Sequence, residues 1–475
     1  MRKMWLAAHE PKSAYFSSQA KLAMKNGDKV GEMAKELYGT ADSVEVLLSR
    51  DRDEMVRRTA ELLARDKRSP IFEATFEYKN VIVRIDVLLP DGDGWRAIEI
   101  KSSKKQKSEH EIDCAAQWWV MTHAGLDIHS IALGHVDGDF DYQGDGNYEG
   151  LIKEVDLTET VKTLQPVIEE LIEEASRVIA GPKPDVPLGK QCTKPWECEF
   201  FRVCYPMDEE YPVPGLGGSK TNHAAWVSRG IKDLRDVPSA ELTEDRPIRV
   251  HRVTCDGKPE LIPGAKEKIE KWGYPRYYLD FEAIGAAVPL WKGIKPHEQV
   301  PVQYSVHIDD GTGDGSFEGM RHEEFLDLSG EAPMRKLAEK LIKDLGDSGV
   351  VFMYTSYEKR MINMLIKLYP DLEKPLTSIV DRLEDLKKIV ADHYYHPCML
   401  GSWSIKNVLP AIAPHLSYEQ LEGIKDGALA VDGYVEAIDP ETTSERKAEI
   451  EQQLLKYCRF DTEAMAEIAK RLTRL

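Results

Sequence analysis

The chain has 475 residues, 42% of them hydrophobic, and a formal charge of −19. No apolar run is long enough to span a bilayer and Met1-Arg2-Lys3 opens no signal-peptide pattern, so the chain reads as a soluble, cytoplasmic protein with no membrane partner. The acidic balance excludes a broad basic surface, the seven unevenly placed cysteines exclude a secreted disulfide scaffold, and the length predicts two or three domains.

Residues 15–65 read as helical, with Gly27 and Gly31 as punctuation and Glu32 on the helix that follows. Glu73 lies on the next strand, in Phe72-Glu73-Ala74-Thr75-Phe76. Two β-branched-rich runs, Val81 to Leu89 and Trp95 to Ile100, are joined by Pro90-Asp91-Gly92-Asp93-Gly94, which predicts a β-hairpin. Acids interrupt both runs. Asp86 sits inside the first, Glu99 alternates with Ile98 and Ile100 in the second, and Lys101 shares a strand face with Glu99 by period-two geometry. Burying such charges costs several kcal/mol unless they are paired or hold a cation, so the hairpin is either a metal site or an exposed cross-strand ion pair. Lys104, Lys105 and Lys107 follow as a local basic run, suited to phosphate contacts or to a solvated loop. A helix containing Gln117, Trp118 and Trp119 comes next, then an amphipathic helix over 157–180 closed by Gly181-Pro182. Cys192, Cys198 and Cys204 recur at intervals of six, a pattern for thiolate ligation of iron–sulfur or zinc.

An Asp, a turn and Glu-x-Lys, as in Asp86, Glu99 and Lys101, resemble the PD-(D/E)XK nuclease superfamily and more closely its RecB-like branch. The resemblance implies that the two carboxylates hold a divalent metal and that Lys101 positions or deprotonates the attacking water. It also implies Glu32 as a third carboxylate from the first helix. Gln117 matches a Gln-x-x-x-Tyr motif whose tyrosine is replaced here by Met121. In iron–sulfur members of the branch, including CRISPR-associated ones, a C-terminal cysteine cluster and one upstream cysteine hold a [4Fe–4S] cluster. Arg2-Lys3-Met4-Trp5-Leu6 resembles the residues just after that cysteine, which would precede Met1; Cys114 is the alternative fourth ligand.

The Pro/Gly-rich stretch 206–274 reads as a connector, which gives domains at 1–205 and 275–475. The second domain opens on a strand with Asp280 and Glu282 on one face, followed by an antiparallel partner from Val300 to His307. Val350 to Met353 leads into a helix with Glu358 near its start, and Ser404 is the expected N-cap of a helix carrying Lys406. In the last helix Tyr457 and Asp461 are four apart and share a face. This ordered set resembles the DnaQ-like exonucleases of the RNase H fold, with Glu358 where that family has Asp. The likeness implies that Asp280, Glu282, Glu358 and Asp461 bind two metal ions and that Tyr457 orients the water. As a whole, the chain resembles bacterial and archaeal fusions of a RecB-like nuclease with a DnaQ-like domain. The expected fold is α/β: a PD-(D/E)XK restriction-endonuclease-like domain followed by an RNase H-like one. The expected function is phosphodiester hydrolysis with Mg²⁺ or Mn²⁺ at two centres, on DNA before RNA, with Lys104, Lys105, Lys107 and Lys406 contacting nucleic acid. A nucleic-acid-binding scaffold with one centre inactive is the competing reading.

Overall fold

A computed structural model describes residues 1–194, 196–205, 208–313 and 316–474. The chain is mixed α/β and divides into two compact units, Met1–Pro11 with Gln19–Pro184 and Gly285–Glu298, and Lys12–Ser18 with Asp185–Ile284 and Gln299–Leu475. Among the described residues, no helix is long and apolar enough to cross a membrane.

The first unit is built on one six-stranded sheet in sequential order: β1 (Val44–Glu45), β2 (Ile71–Tyr78), β3 (Val81–Asp91), β4 (Gly94–Lys101), β5 (Ile128–Val136) and β6 (Ile152–Asp156). The β1–β2 and β4–β5 pairs are parallel, the others antiparallel. The predicted hairpin is β3–β4, and its turn is tighter than expected because Gly92 takes φ +60° and closes the ladder at Asp91↔Gly94. The helices of this unit are α1 (Arg2–His9), which packs on α5, α2 (Ser18–Tyr38), α3 (Arg52–Leu63), α4 (Ser108–His123) and α5 (Thr158–Ala180). Apolar residues of α3, α4 and α5 bury one face of it, around Ile85, Leu88, Trp95 and Ala97. Val30 and Ala34 of α2 bury the other, around Val87, Ile98 and Ile100. Gly27 and Gly31 do not punctuate α2, because the burial of Val30 and Ala34 carries the helix past two poor helix formers.

In the second unit, a ribbon of β7 (Glu260–Leu261) with β13 (Tyr394–Tyr395) accompanies a five-stranded sheet. The sheet contains β8 (Arg276–Ile284), β9 (Val300–Asp309), β10 (Arg321–Leu326), β11 (Val350–Met353) and β12 (Leu383–Asp385), in the order β10-β9-β8-β11-β12. Its first three strands are antiparallel, and β11 and β12 extend it in parallel. The helices are α6 (Phe201–Cys204), α7 (Lys220–Ser228), α8 (Asp245–Asp256), α9 (Ala265–Glu270), α10 (Met334–Leu345), α11 (Tyr357–Leu368), α12 (Glu373–Val380), α13 (Leu386–His393), α14 (Ile405–Ile412), α15 (Gly427–Ile438) and α16 (Ser444–Leu472). The stretch read as a connector folds with this unit: Val213, Leu216, Leu234, Val250 and Ile269 are buried, so Pro and Gly there shape short elements and not a linker. The cysteine segment also belongs to the second unit, while Gly285–Glu298 belongs to the first, so the compact units do not coincide with the expected boundaries at 205 and 275.

Candidate active sites

In the first unit the site forms where the sheet loses its regular alternation. Ile71 and Ala74 on β2 enter the same core although three residues apart, and Ile85 and Leu88 on β3 do likewise. The break falls on the opposed residues Glu73 and Asp86, and Glu73 accounts for it with a left-handed φ of +58°. The β3–β4 ladder stops at Val87↔Ile98. One residue further along β3, the Asp86 carboxylate takes the place of a strand carbonyl and accepts the Ile100 N–H at 2.6 Å.

Around that opening the predicted residues converge. Glu99 is 6% exposed; its Oε1 accepts from Lys101 Nζ at 2.5 Å and its Oε2 from Gln117 Nε2 at 2.6 Å. Period two points Glu99 and Lys101 to the sheet face that α4 covers, which is why Gln117 reaches them. Burial and the neighbouring Asp86 hold the Glu99 carboxyl well above its ordinary range, and burial raises Asp86 as well. Burial pulls Lys101 down, but the charges of Glu99 and Asp113 outweigh it and keep the ammonium charged. Asp113, 2.7 Å from Lys101 Nζ, was not singled out in the sequence, although it lies four residues before Gln117 on the same helix. Glu73 pairs with Arg84 at 3.1 Å, and its pKa is raised by burial and, in part, by Asp86.

Glu32 does not join this group. Its side chain is 66% exposed and pairs with Lys35, one turn away on α2, because Val30 and Ala34 set the buried face of that helix and leave Glu32 outside it. Lys104, Lys105 and Lys107 are exposed in the β4–α4 loop, just beyond Lys101.

In the second unit, carboxylate oxygens of Asp280, Glu282 and Asp461 lie within 4.8 Å of one another. Asp280 and Glu282 alternate on β8, and α16 packs on that strand with Asp461 buried against it. Burial together with the mutual charges of these acids raises Asp280 and Glu282 well above their ordinary range. Burial also lifts Asp461 to about 6, opposed by a hydrogen bond from Tyr418, the charge of Lys406 and a hydrogen bond from Tyr457. Glu358, in the first turn of α11, is 3% exposed, and burial pushes it up to about 7. Its Oε2 is buried without a hydrogen-bond partner, a vacancy in bonding that a cation or its water would fill. Glu358 is not one of the three acids whose oxygens lie within 4.8 Å of one another; the all-oxygen donors of that trio suit Mg²⁺ or Mn²⁺.

Tyr457, 5% exposed, faces the same acids. Tyr418 was not foreseen: its hydroxyl donates to Asp461 Oδ1 in a short hydrogen bond from a 3₁₀ turn at Tyr418–Gln420. The start of α15 was missed too; Asp426 caps it, and a Cβ on Gly427 would stand 3.8 Å from Glu282 Oε2. Ser404 occupies the expected N-cap position of α14, but its hydroxyl donates to Asn407 Oδ1 at 2.5 Å and caps no backbone amide. Lys406 turns inward, its Nζ donating to Lys425 O at 2.6 Å beside the rings of Tyr418 and Tyr457.

A family model described as Domain of unknown function (DUF2779) matches residues 277–404. No curated protein and no solved structure matches the chain. The matched span takes in Asp280, Glu282 and Glu358 and stops before Lys406, Tyr418 and the α16 residues.

Two further groups complete the inventory. Asp93, Asp127 and His129 converge at the β3–β4 turn, but all three are exposed, and exposed carboxylates gather without an ion. Cys192, Cys198 and Cys204 are half-buried, and the Cys198 N–H bonds Cys192 O at 2.9 Å. Among the described residues, their sulfurs do not form a group within 4.8 Å of one another, whereas a tetrahedral zinc with Zn–S of about 2.3 Å needs thiolates about 3.8 Å apart. The segment therefore does not fit a mononuclear zinc site as it stands.

Proposed function

We propose that the chain is a metal-dependent nuclease with two centres, a RecB-like PD-(D/E)XK centre in the first unit and a DnaQ-like RNase H-fold centre in the second, acting on DNA. The observation that carries this reading is the convergence of Asp280, Glu282 and Asp461, from two strand positions and a helix 181 residues away, on one point with Glu358 and Tyr457 beside it. The sheet order, three antiparallel strands extended by two parallel ones, supports it. The opened ladder at Asp86, with Glu99, Lys101 and Gln117 hydrogen-bonded around it, supports the first centre in the same way.

A divalent cation bound by either set supplies charge neutralisation for the transition state and a more acidic water. In the first centre Asp86 and Glu99 are its ligands and Gln117 fixes the Glu99 rotamer. Lys101, held between Glu99 and Asp113, presents a point charge to the scissile phosphate. In the second centre Asp280, Glu282, Glu358 and Asp461 are the ligands, and the Tyr457 hydroxyl orients the attacking water. Lys104, Lys105 and Lys107 are exposed and suited to backbone phosphates. For Cys192, Cys198 and Cys204 the proposal is thiolate ligation of a [4Fe–4S] cluster, which needs a fourth ligand, or of zinc; anaerobically purified protein that is colourless and free of iron and zinc would reject both.

The test is digestion of single-stranded DNA, duplex DNA and RNA with Mg²⁺ or Mn²⁺ by the wild type, Glu99→Ala, Asp280→Ala and the double variant. Each single variant should lose one activity and the double variant all of them. Wild-type cleavage by the double variant, or no cleavage by the wild type on any substrate, would reject the reading; RNA cleavage alone would reassign the substrate.

A further inference from the structure

We propose that Lys406 is a built-in cation of the second centre, whose ammonium offsets part of the acidic cage and thereby limits how tightly the free enzyme takes up divalent ions. The inference rests on the reading of that centre as a metal site.

A lysine that serves phosphate from the surface keeps its ammonium mobile and hydrated. Lys406 is half-buried and fixed instead. Its ammonium donates to the Lys425 carbonyl at 2.6 Å and stands 5.0 Å from the ring centroid of Tyr418 and 5.6 Å from that of Tyr457. Cation–π attraction to two rings holds it at a defined depth. Both phenols bear on Asp461, Tyr418 through its short hydrogen bond and Tyr457 one helical turn before it. The charge is felt by the ligands themselves, favouring the ionised forms of Glu282 and Asp461. A carbonyl and two ring faces hold the ammonium, so its charge is not consumed by a single carboxylate.

Four carboxylates and one ammonium leave the cage with three negative charges. Two divalent ions would overneutralise it until a substrate phosphate entered. Lys406 therefore weakens metal loading in the absence of substrate, and its ammonium also holds the Tyr457 ring in position.

The experiment is calorimetric titration of Mn²⁺ at one alkaline pH, where protons do not compete for Glu282 and Asp461, into the full chain carrying Asp86→Asn and Glu99→Gln, so that uptake reports the second centre. Against that background, Lys406→Met should bind Mn²⁺ about tenfold more tightly, the size expected when a unit charge several ångströms from a divalent ion is removed at a partly solvated site. Lys406→Arg, which keeps the charge, should stay near the parent. Exonuclease turnover of Lys406→Met should fall while its metal affinity rises, whereas a merely structural lysine would lower both. Unchanged or weaker binding by folded Lys406→Met overturns the proposal; if that variant does not fold, Lys406→Gln is read in the same way. A parent that takes up no Mn²⁺ rejects the second centre itself, and Lys406 with it.

Discussion

At the scale of single residues, Gln117 shows how a site can be built from a polar side chain that is poor in partners. Its Nε2 is the donor that satisfies Glu99 Oε2, while its own Oε1 is buried and unpaired. Gln117→Met keeps the volume but removes the donor, which strands a buried carboxylate oxygen and should cost about 1–3 kcal/mol of stability in EDTA. Saturating Mg²⁺ gives that oxygen a new partner, so the loss should shrink when the ion is present. Chemical denaturation in both conditions measures it, and an equal loss with and without Mg²⁺ would remove Glu99 from the metal. Residues of this kind were legible where they stood next to a pattern: Glu99 and Lys101 by alternation, Gln117 by its match to the Gln-x-x-x-Tyr motif of the RecB-like resemblance. Tyr418 carried no such signal. It comes from a short turn 43 residues before Asp461, and only the folded chain brings them together.

At the scale of elements, turn chemistry and strand composition gave the hairpin, and strand and helix periods put Asp280 with Glu282 and Tyr457 with Asp461 on shared faces; joining these acids with Glu358 into one site was what the resemblance to DnaQ-like exonucleases implied. What periodicity cannot supply is helix phase against a sheet, which placed Glu32 outside, or a break within a strand. The break at Glu73 and Asp86 is the clearest case, since a strict period of two across β2 would put Ile71 and Ala74 on opposite faces. Its cause is local: Glu73 is a non-glycine residue at φ +58°. Glu73→Gly should therefore fold with stability within about 1 kcal/mol of the wild type, lower backbone strain offsetting the lost Arg84 pair, whereas Glu73→Val should cost about 1–3 kcal/mol because a β-branched residue resists this conformation. Denaturant midpoints decide between them. Equal midpoints for the two variants would show that Glu73 does not set the break.

At the scale of the whole molecule, the −19 charge and the buried acids raise one question, how the protein tolerates its carboxylates as pH rises. Burial raises Asp86, Glu99, Asp280, Glu282, Glu358 and Asp461 above their ordinary values. An acid raised in the folded state holds its proton there after the unfolded chain has released it. For Glu358 and Asp461 this contribution is present in full below about pH 4 and is lost as pH climbs through about 7 and about 6 respectively. Absolute stability does not isolate the effect, because buried His307 and half-buried His322, lowered to about 3 and about 4 mainly by burial, act with the opposite sign between those values and their ordinary 6.5. The histidines bond Thr462 and Ser305 and reach no carboxylate of the cage, so they cancel when metal-bound and metal-free protein are compared at each pH. Metal requires ionised carboxylates, and its stabilisation should therefore grow with pH, from little at pH 5 to about 2.7 kcal/mol at pH 7.5 with Mg²⁺ at a hundred times its Kd. Denaturation at both pH values, with Mg²⁺ and with EDTA, gives the difference directly. A metal-induced gain that is the same at pH 5 and pH 7.5 would mean that the ion does not compete with protons for these carboxylates, and that the acidic cage of the second unit is held together by something other than a cation.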